Sequence, residues 1–147
     1  MKVEYYNNLG IGIISIGFVL NHIERVSVSK ATLILPFISH NELLSYLGRK
    51  TTQIRSIEKL IVNRSPSFSN FNKRFFSSLV LTFNSLQYLN DMGYIRIENG
   101  DIIKLKNISY HNKMGKRAEK IEKASSNIAN ILHESTINLF LNLRIEI

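Results

Sequence analysis

Four histidines, eleven carboxylates and a large set of serines are the side chains of this chain that could make or break bonds, and their spacing decides what they can do. His22, His40, His111 and His133 form no pair at i,i+4 spacing, and none lies in a His/Glu cluster of the kind that holds zinc. The carboxylates are scattered. The one close pair, Glu119 and Glu122, alternates with Lys120 and Lys123 and reads as exposed helix surface, not as an acid–base dyad or a two-metal site. No serine sits in a Gly-x-Ser-x-Gly elbow, and Gly10-Ile11-Gly12 lacks the rest of a phosphate-binding loop. There is no cysteine, which removes disulfides, a thiol nucleophile and every thiolate metal site. The expectation is a chain with no catalytic residue, metal or cofactor of its own.

Charge carries more information. The formal net charge is +8 and the pI about 9.8, a surplus that favours an anionic partner. Between Lys104 and Lys123 seven cations face only Glu119 and Glu122, which leaves +5 of that +8. Lys104, Lys106, Lys113, Lys116, Arg117 and Lys120 are therefore the candidates for contacts to nucleic-acid phosphates, which give affinity without reading sequence. A solvated helix face would carry the same lysines. The first half of the long helix expected before them offers only Lys73 and Arg74, so base-specific readout is not expected.

The elements that must hold these residues follow from periodicity. A chain of 147 residues with 44% hydrophobic content fits one compact domain. Its expected parts are an N-terminal helical segment over about 1–48, a core over 51–110 with a hairpin at 94–106, and C-terminal helices with a tail over 113–147. Asn7-Asn8 is placed to cap a helix running to Ile23, with a polar connection over Val26 to Lys30. Leu9 to Leu20 is apolar but too short to span a membrane, and reads as a buried helix of a cytoplasmic protein. A helix should kink or begin near Pro36, and Asn41 should cap a short one closed by Gly48. Ile54, Ile57 and Ile61 recur at helical spacing. Phe75, Leu79, Phe83, Leu86 and Leu89 do so more clearly, with Gly93 as the stop.

Asn99-Gly100 between alternating runs is a hairpin signal. Placing Ile95, Ile97, Ile103 and Leu105 on one face requires a three-residue turn, with Arg96, Lys104 and Lys106 on the wet face. Ile121, Ala124 or Ser125, Ile128, Ile131 and Leu132 trace a last long helix. The tail from Ile137 alternates like a strand, yet Ser135-Thr136 is a helix cap; a short helix to about Leu141, ended by a left-handed Asn142, is the favoured reading. Helix, loop, long helix, glycine, hairpin: the order is mainly α with a small β-hairpin, a winged-helix-like domain with flanking N- and C-terminal helices. Such domains bind DNA or serve as protein-contact modules.

Several blocks together resemble a family. Asn7-Asn8-Leu9-Gly10 is similar to an Asn-Asn-Pro-Leu-Gly opening, and Leu35-Pro36-Phe37-Ile38-Ser39-His40 to a Leu-Pro-Leu-Leu-Leu-His block. Leu86 to Ile95 resembles that family's central helix and strand. Ile128 to Leu132 stands where it has Leu-Gly-x-Trp-Phe, and Leu141-Asn142-Leu143-Arg144 where it closes with Leu-Gly-Val-Arg. The chain thus resembles the middle components of three-component ABC systems of bacterial conflict loci, including Lamassu-type antiphage systems. The resemblance implies a non-catalytic accessory subunit that binds an SMC-like ABC ATPase, itself a dimer, and an effector, and helps couple DNA sensing to that nuclease-like effector. A free-standing winged-helix DNA-binding regulator is the alternative. Apolar faces left for partners are expected at Asn7, Asn8, Ile11 and Phe18 near the N-terminus and at Phe140 and Leu143 in the tail; no membrane contact is expected.

Overall fold

The computed structural model of the chain describes residues 2–146, and side chains over residues 8–146. Helix α1 runs over Lys2–Leu20, so Asn7 and Asn8 lie inside it and do not cap it. The side chain of Asn7 falls outside the described residues. Two of the three glycines of α1 serve close packing. A Cβ at Gly12 would collide with Ser85 Oγ, and one at Gly17 with the Ile108 side chain. From Ser15 to Leu20 every residue is buried.

The connection expected at Val26 to Lys30 is instead strand β1, Arg25–Ser27, followed by one helical turn α2, Val28–Ala31, which Ser27 caps by accepting from Lys30 N. Helix α3, Ile34–Ile38, begins two residues before Pro36, so the ring occupies the first turn, where its missing N–H is tolerated; all five residues are buried. Helix α4, Asn41–Leu47, is capped by His40, whose Nδ1 accepts from Leu43 N at 3.2 Å, and not by Asn41. Gly48 does follow its last turn, in a right-handed conformation.

Helix α5, Ile57–Asn63, starts after Ile54 because Ser56 accepts from Lys59 N and fixes the first turn there. Ile54 still packs on the core from outside the helix.

Helix α6, Phe71–Asp91, is the long amphipathic element. Phe75, Leu86 and Leu89 are buried as expected, but Phe83 is 51% exposed. The inward stripe runs through Phe71, Phe75, Thr82, Ser85, Leu86 and Leu89, and Phe83 stands one residue, about 100° of rotation, away from Thr82. Gly93 takes φ +79° and ends the helix as its position required.

Strands β2, Ile95–Glu98, and β3, Asp101–Lys104, pair with Glu98 opposite Asp101, so the turn holds only Asn99 and Gly100. Their φ values of 53° and 79° fit a two-residue primed turn, and the expected three-residue turn is not formed. Opposed residues share a face. Ile95, Ile97, Ile102 and Lys104 therefore lie together, and Arg96 lies with Ile103. β1 pairs antiparallel to β3, Val26 opposite Ile102, giving the strand order β1-β3-β2.

Helix α7, Lys116–Ile131, buries Ile121, Ala124, Ser125, Ile128 and Ile131 as its periodicity predicts. Helix α8, Thr136–Asn142, is capped by Ser135, so the tail is helical and its alternation does not mark a strand. The left-handed residue after it is Arg144, φ 57°, while Asn142 turns its amide back to Asn138 O at 2.8 Å. The fold is mainly helical with a small three-stranded antiparallel sheet, as expected for a winged-helix-like domain. α1 lies against both α6 and α7, α4 lies on α7, and one hydrophobic cluster draws residues from all of these.

The turn gives a direct test. Gly100→Val places a β-branched residue at φ +79° and should lower stability by about 1–2 kcal/mol. In thermal unfolding followed by circular dichroism that is a fall of about 4 °C. Asn99→Gly should leave the midpoint nearly unchanged.

Candidate interaction surfaces

The side chains that could do chemistry hold the fold together. His22 Nε2 meets Ser125 Oγ at 3.1 Å, tying the end of α1 to α7, and His40 is the α4 cap. Glu134 accepts from Ile57 N at 2.7 Å and from Asn138 Nδ2 at 2.7 Å, so one carboxylate closes the start of α5 and braces α8. Glu119 pairs with Lys123 at 3.2 Å across one helical turn, the exposed pair the sequence predicted. Tyr110 packs its edge on Phe18, and its hydroxyl pKa is raised by burial and then by Glu119 and Glu122. Among the described residues no three His, Cys, Asp or Glu converge on a point that could hold a metal ion.

The six candidate phosphate contacts do not form one surface. Lys104 lies on the inward face of the sheet, its side chain only 13% exposed. Its Nζ donates to Asn21 O at 3.0 Å and stands 3.5 Å from Glu24. The two-residue turn put it there, and it is not free for a phosphate. Lys106 is exposed and lies over the Tyr94 ring at 4.4 Å. Lys113 sits in a short 3-10 turn, Asn112–Met114, and Lys116, Arg117 and Lys120 line the exposed first turns of α7. Lys104 bonds Asn21, and the next residue, His22, meets Ser125. That is nine residues along α7 from Lys116, roughly 13 Å.

The sheet is electrically closed. Arg25 pairs with Asp101 at 3.0 Å, Arg96 with Glu98 at 3.1 Å and Lys104 with Glu24 at 3.5 Å. Lys73 is exposed, but Arg74 is half-buried. It donates to Pro36 O at 3.1 Å and to Ser67 O at 3.0 Å and stacks on Phe71, and burial draws its pKa down.

Phe18 and Leu143, expected at a partner face, lie inside the core at 1% and 3% exposure. Phe140 is partly covered and sets its ring against Phe75 at 5.8 Å. Asn8 and Ile11 remain at the rim of a hollow of about 250 Å³ that they share with Ser77, Ser78 and Leu81 of α6.

The exposed apolar surface is instead concentrated on α6. Phe76 (45% exposed), Val80 (72%) and Phe83 (51%) recur four and three residues apart and form one stripe on the helix. Ile137 and Leu141 on α8 are also exposed, on the helix whose Phe140 meets Phe75, the neighbour of Phe76. From Phe75 to Asn90 the sequence contains no charged residue, although half of that helix faces outward. Depletion of charge with enrichment of aromatics marks the centre of protein interfaces. That sixteen-residue uncharged run was the sequence signal for this surface; periodicity alone assigned its Phe83 to the core.

The domain is mainly helical, with a charge-balanced small sheet and an apolar outer helix face. Comparison with known families places it further: the family model of the ABC-three component (ABC-3C) system Middle Component 3 matches residues 17–146, and the chain belongs to that family. No curated protein and no solved structure matches the chain. Among the described residues no helix is long and apolar enough to cross a membrane.

Exposure separates the two kinds of phenylalanine. Phe83→Asp should change stability by no more than about 0.5 kcal/mol. Phe71→Ala, at a fully buried position, should cost about 3–5 kcal/mol. Urea titrations of the two variants measure the difference directly.

Proposed function

We propose that this chain is the non-catalytic accessory subunit of its ABC-3C system: it docks through the α6 stripe onto an SMC-like ABC ATPase and helps couple DNA sensing to the effector subunit. Membership of a middle-component family makes partners in a multi-component assembly an expected property. The observation that carries the docking face is Phe76, Val80 and Phe83 standing outward on a helix with no charge over sixteen residues. Such side chains are stabilised by removal from water, at about 25 cal/mol per Å² of apolar surface, and a partner supplies that removal. Asn8 and Ile11 of α1 lie on the other flank of α6, away from this stripe, while Ile137 and Leu141 are exposed on α8, the helix whose Phe140 meets Phe75 of α6.

A free-standing DNA-binding regulator is less well supported. In winged-helix-like domains of that type the outer helix and the wing meet the duplex. Here the helix presents phenylalanine and valine, and the sheet has matched its cations with carboxylates.

Co-expression of the full chain with the ATPase encoded beside it tests the reading. The wild-type chain should co-purify with the ATPase. Phe76→Asp with Phe83→Asp should reduce recovery by about tenfold, a loss of about 1.4 kcal/mol or more, while the variant keeps its melting temperature. Undiminished recovery of the double variant, or no ATPase with the wild type, would remove the α6 face from the proposal.

A further inference from the structure

A second cationic surface is assembled from residues far apart in sequence. Helix α4 lies along α7 in parallel. Arg117 Nη1 donates to Asn41 Oδ1 at 3.2 Å at one end. Asn127 Nδ2 donates to Leu47 O at 2.7 Å at the other. Between them a Cβ on Gly48 would stand 3.4 Å from Lys123 Cβ and 3.6 Å from Lys120 O. The next residues, Arg49 and Lys50, therefore emerge beside the basic face of α7, and both are exposed.

Arg49 and Arg64 then converge on one aromatic ring, their guanidinium carbons 5.5 Å and 4.0 Å from the centre of Tyr46. They line, with Asn41, Glu42 and Ser45, an open hollow of about 300 Å³. Tyr46 itself lines a second hollow of about 210 Å³, with Arg55, Lys59, Gln53, Ser56, Ile54 and Leu60. Four of the chain's eight arginines, at 49, 55, 64 and 117, lie on this one belt.

The electrostatics are incomplete. Among the described residues neither Arg49 nor Arg64 pairs with a carboxylate, and neither guanidinium donates to any other group of the chain. Two like charges held on one ring repel each other, and an anion between them relieves that repulsion. The guanidinium fork matches the oxygens of a phosphate. The lining of the Arg49 hollow is polar or charged throughout, and its neighbour adds Arg55 and Lys59 beside Ile54 and Leu60. Val62 is the one large apolar side chain exposed over 49–64 among the described residues, against the Phe76, Val80 and Phe83 stripe of α6, so the belt is dominated by cations and does not have the make-up of a protein-interface centre.

We infer that the belt formed by α4, residues 49–64 and the start of α7 binds the phosphodiester backbone of duplex DNA, with Arg49 and Arg64 on Tyr46 gripping one phosphate and Arg55, Lys59 and Arg117 meeting its neighbours. The binding is independent of base sequence, because the groups assigned to it, Arg49, Arg64, Arg55, Lys59 and Arg117, meet phosphates and not base edges. The inference deepens the proposed link to DNA sensing but does not rest on the α6 docking face, and it is read without the ATPase.

Fluorescence anisotropy of the purified full chain with a labelled mixed-sequence duplex tests it. Binding should weaken steeply between about 50 and about 200 mM salt. Arg49→Ala with Arg64→Ala should lower affinity about tenfold and reduce the log–log salt slope by about 2. Arg55→Glu with Lys59→Glu, on exposed side chains, should act at least as strongly and guards against a folding defect in the first variant. Arg96→Ala with Lys106→Ala, on the wing, should change affinity less than about twofold. Absence of binding at low salt, equal loss from the wing variant, or no loss from either belt variant overturns the inference. Tighter binding to polyglutamate than to the duplex does so too, and assigns the belt to an acidic protein.

Discussion

Helix α1 reaches van der Waals contact with α6 on one side and with the segment after β3 on the other, and each approach needs a residue with no side chain. Gly12 lets the α1 backbone come up to Ser85 and Leu81; Gly17 admits the side chain of Ile108. Asn21 then locks the second approach, donating to Ile108 O at 2.8 Å and accepting from Ile108 N at 3.0 Å. Small side chains continue the first seam. Ser15, Thr82 and Ser85 are buried there, and among the described residues none of their hydroxyls has a hydrogen-bond partner. Leaving such groups unpaired opposes folding by on the order of 1 kcal/mol or more each, and the dispersion contacts of two closely packed helices offset it. The consequence for function is directional. Because α1 seals one face of α6 so tightly, the opposite face of α6 is the one turned outward.

Features set by local chemistry were legible in the sequence. Gly93 ended α6, Ser135 capped α8 against the strand-like alternation of the tail, and the apolar stripe of α7 was read residue by residue. Features set by pairing between distant segments were not. β1 is three residues long, too short for alternation to register, and exists because β3 offers it an edge. The hairpin register was read from the wish to put four apolar side chains inside. Asn99 and Gly100 preferred the tight turn, and the sheet accepted Lys104 inward and left Ile97 42% exposed. On α6 periodicity favours the large residues for the core, whereas the contact with α1 requires small ones inside, and Phe83 stands outward. The belt was hidden for the same reason. Arg49 and Arg64 meet only where folding sets both over Tyr46, and Arg117 joins them through its bond to Asn41 where α4 packs on α7.

The net charge looks different once the pairs are drawn. Arg25, Arg96 and Lys104 meet Asp101, Glu98 and Glu24, so the sheet contributes nothing to the +8 surplus. Over 49–64, Arg49, Lys50, Arg55, Lys59 and Arg64 face only Glu58, a local +4. The surplus therefore sits on the α4–α5–α7 side, and the uncharged apolar stripe sits on α6. A screened field of this kind acts over about 10 Å, so a partner seated on α6 feels little of it and a polyanion near α7 feels most of it.

Separating the two surfaces matters because they respond to different conditions. Apolar burial on α6 is almost insensitive to salt, while phosphate contacts weaken with the number of counterions displaced. A subunit that used one face for both would lose its protein partner whenever its hold on a polyanion loosened. With the faces on different elements, joined through α1, which packs on both α6 and α7, each contact can be made or broken while the other holds. For one contact to influence the other, α1 would have to shift. The seam best suited to transmit such a shift is the one lined by Gly12, Ser15, Thr82 and Ser85, where, among the described residues, none of the three hydroxyls forms a directional bond between α1 and α6.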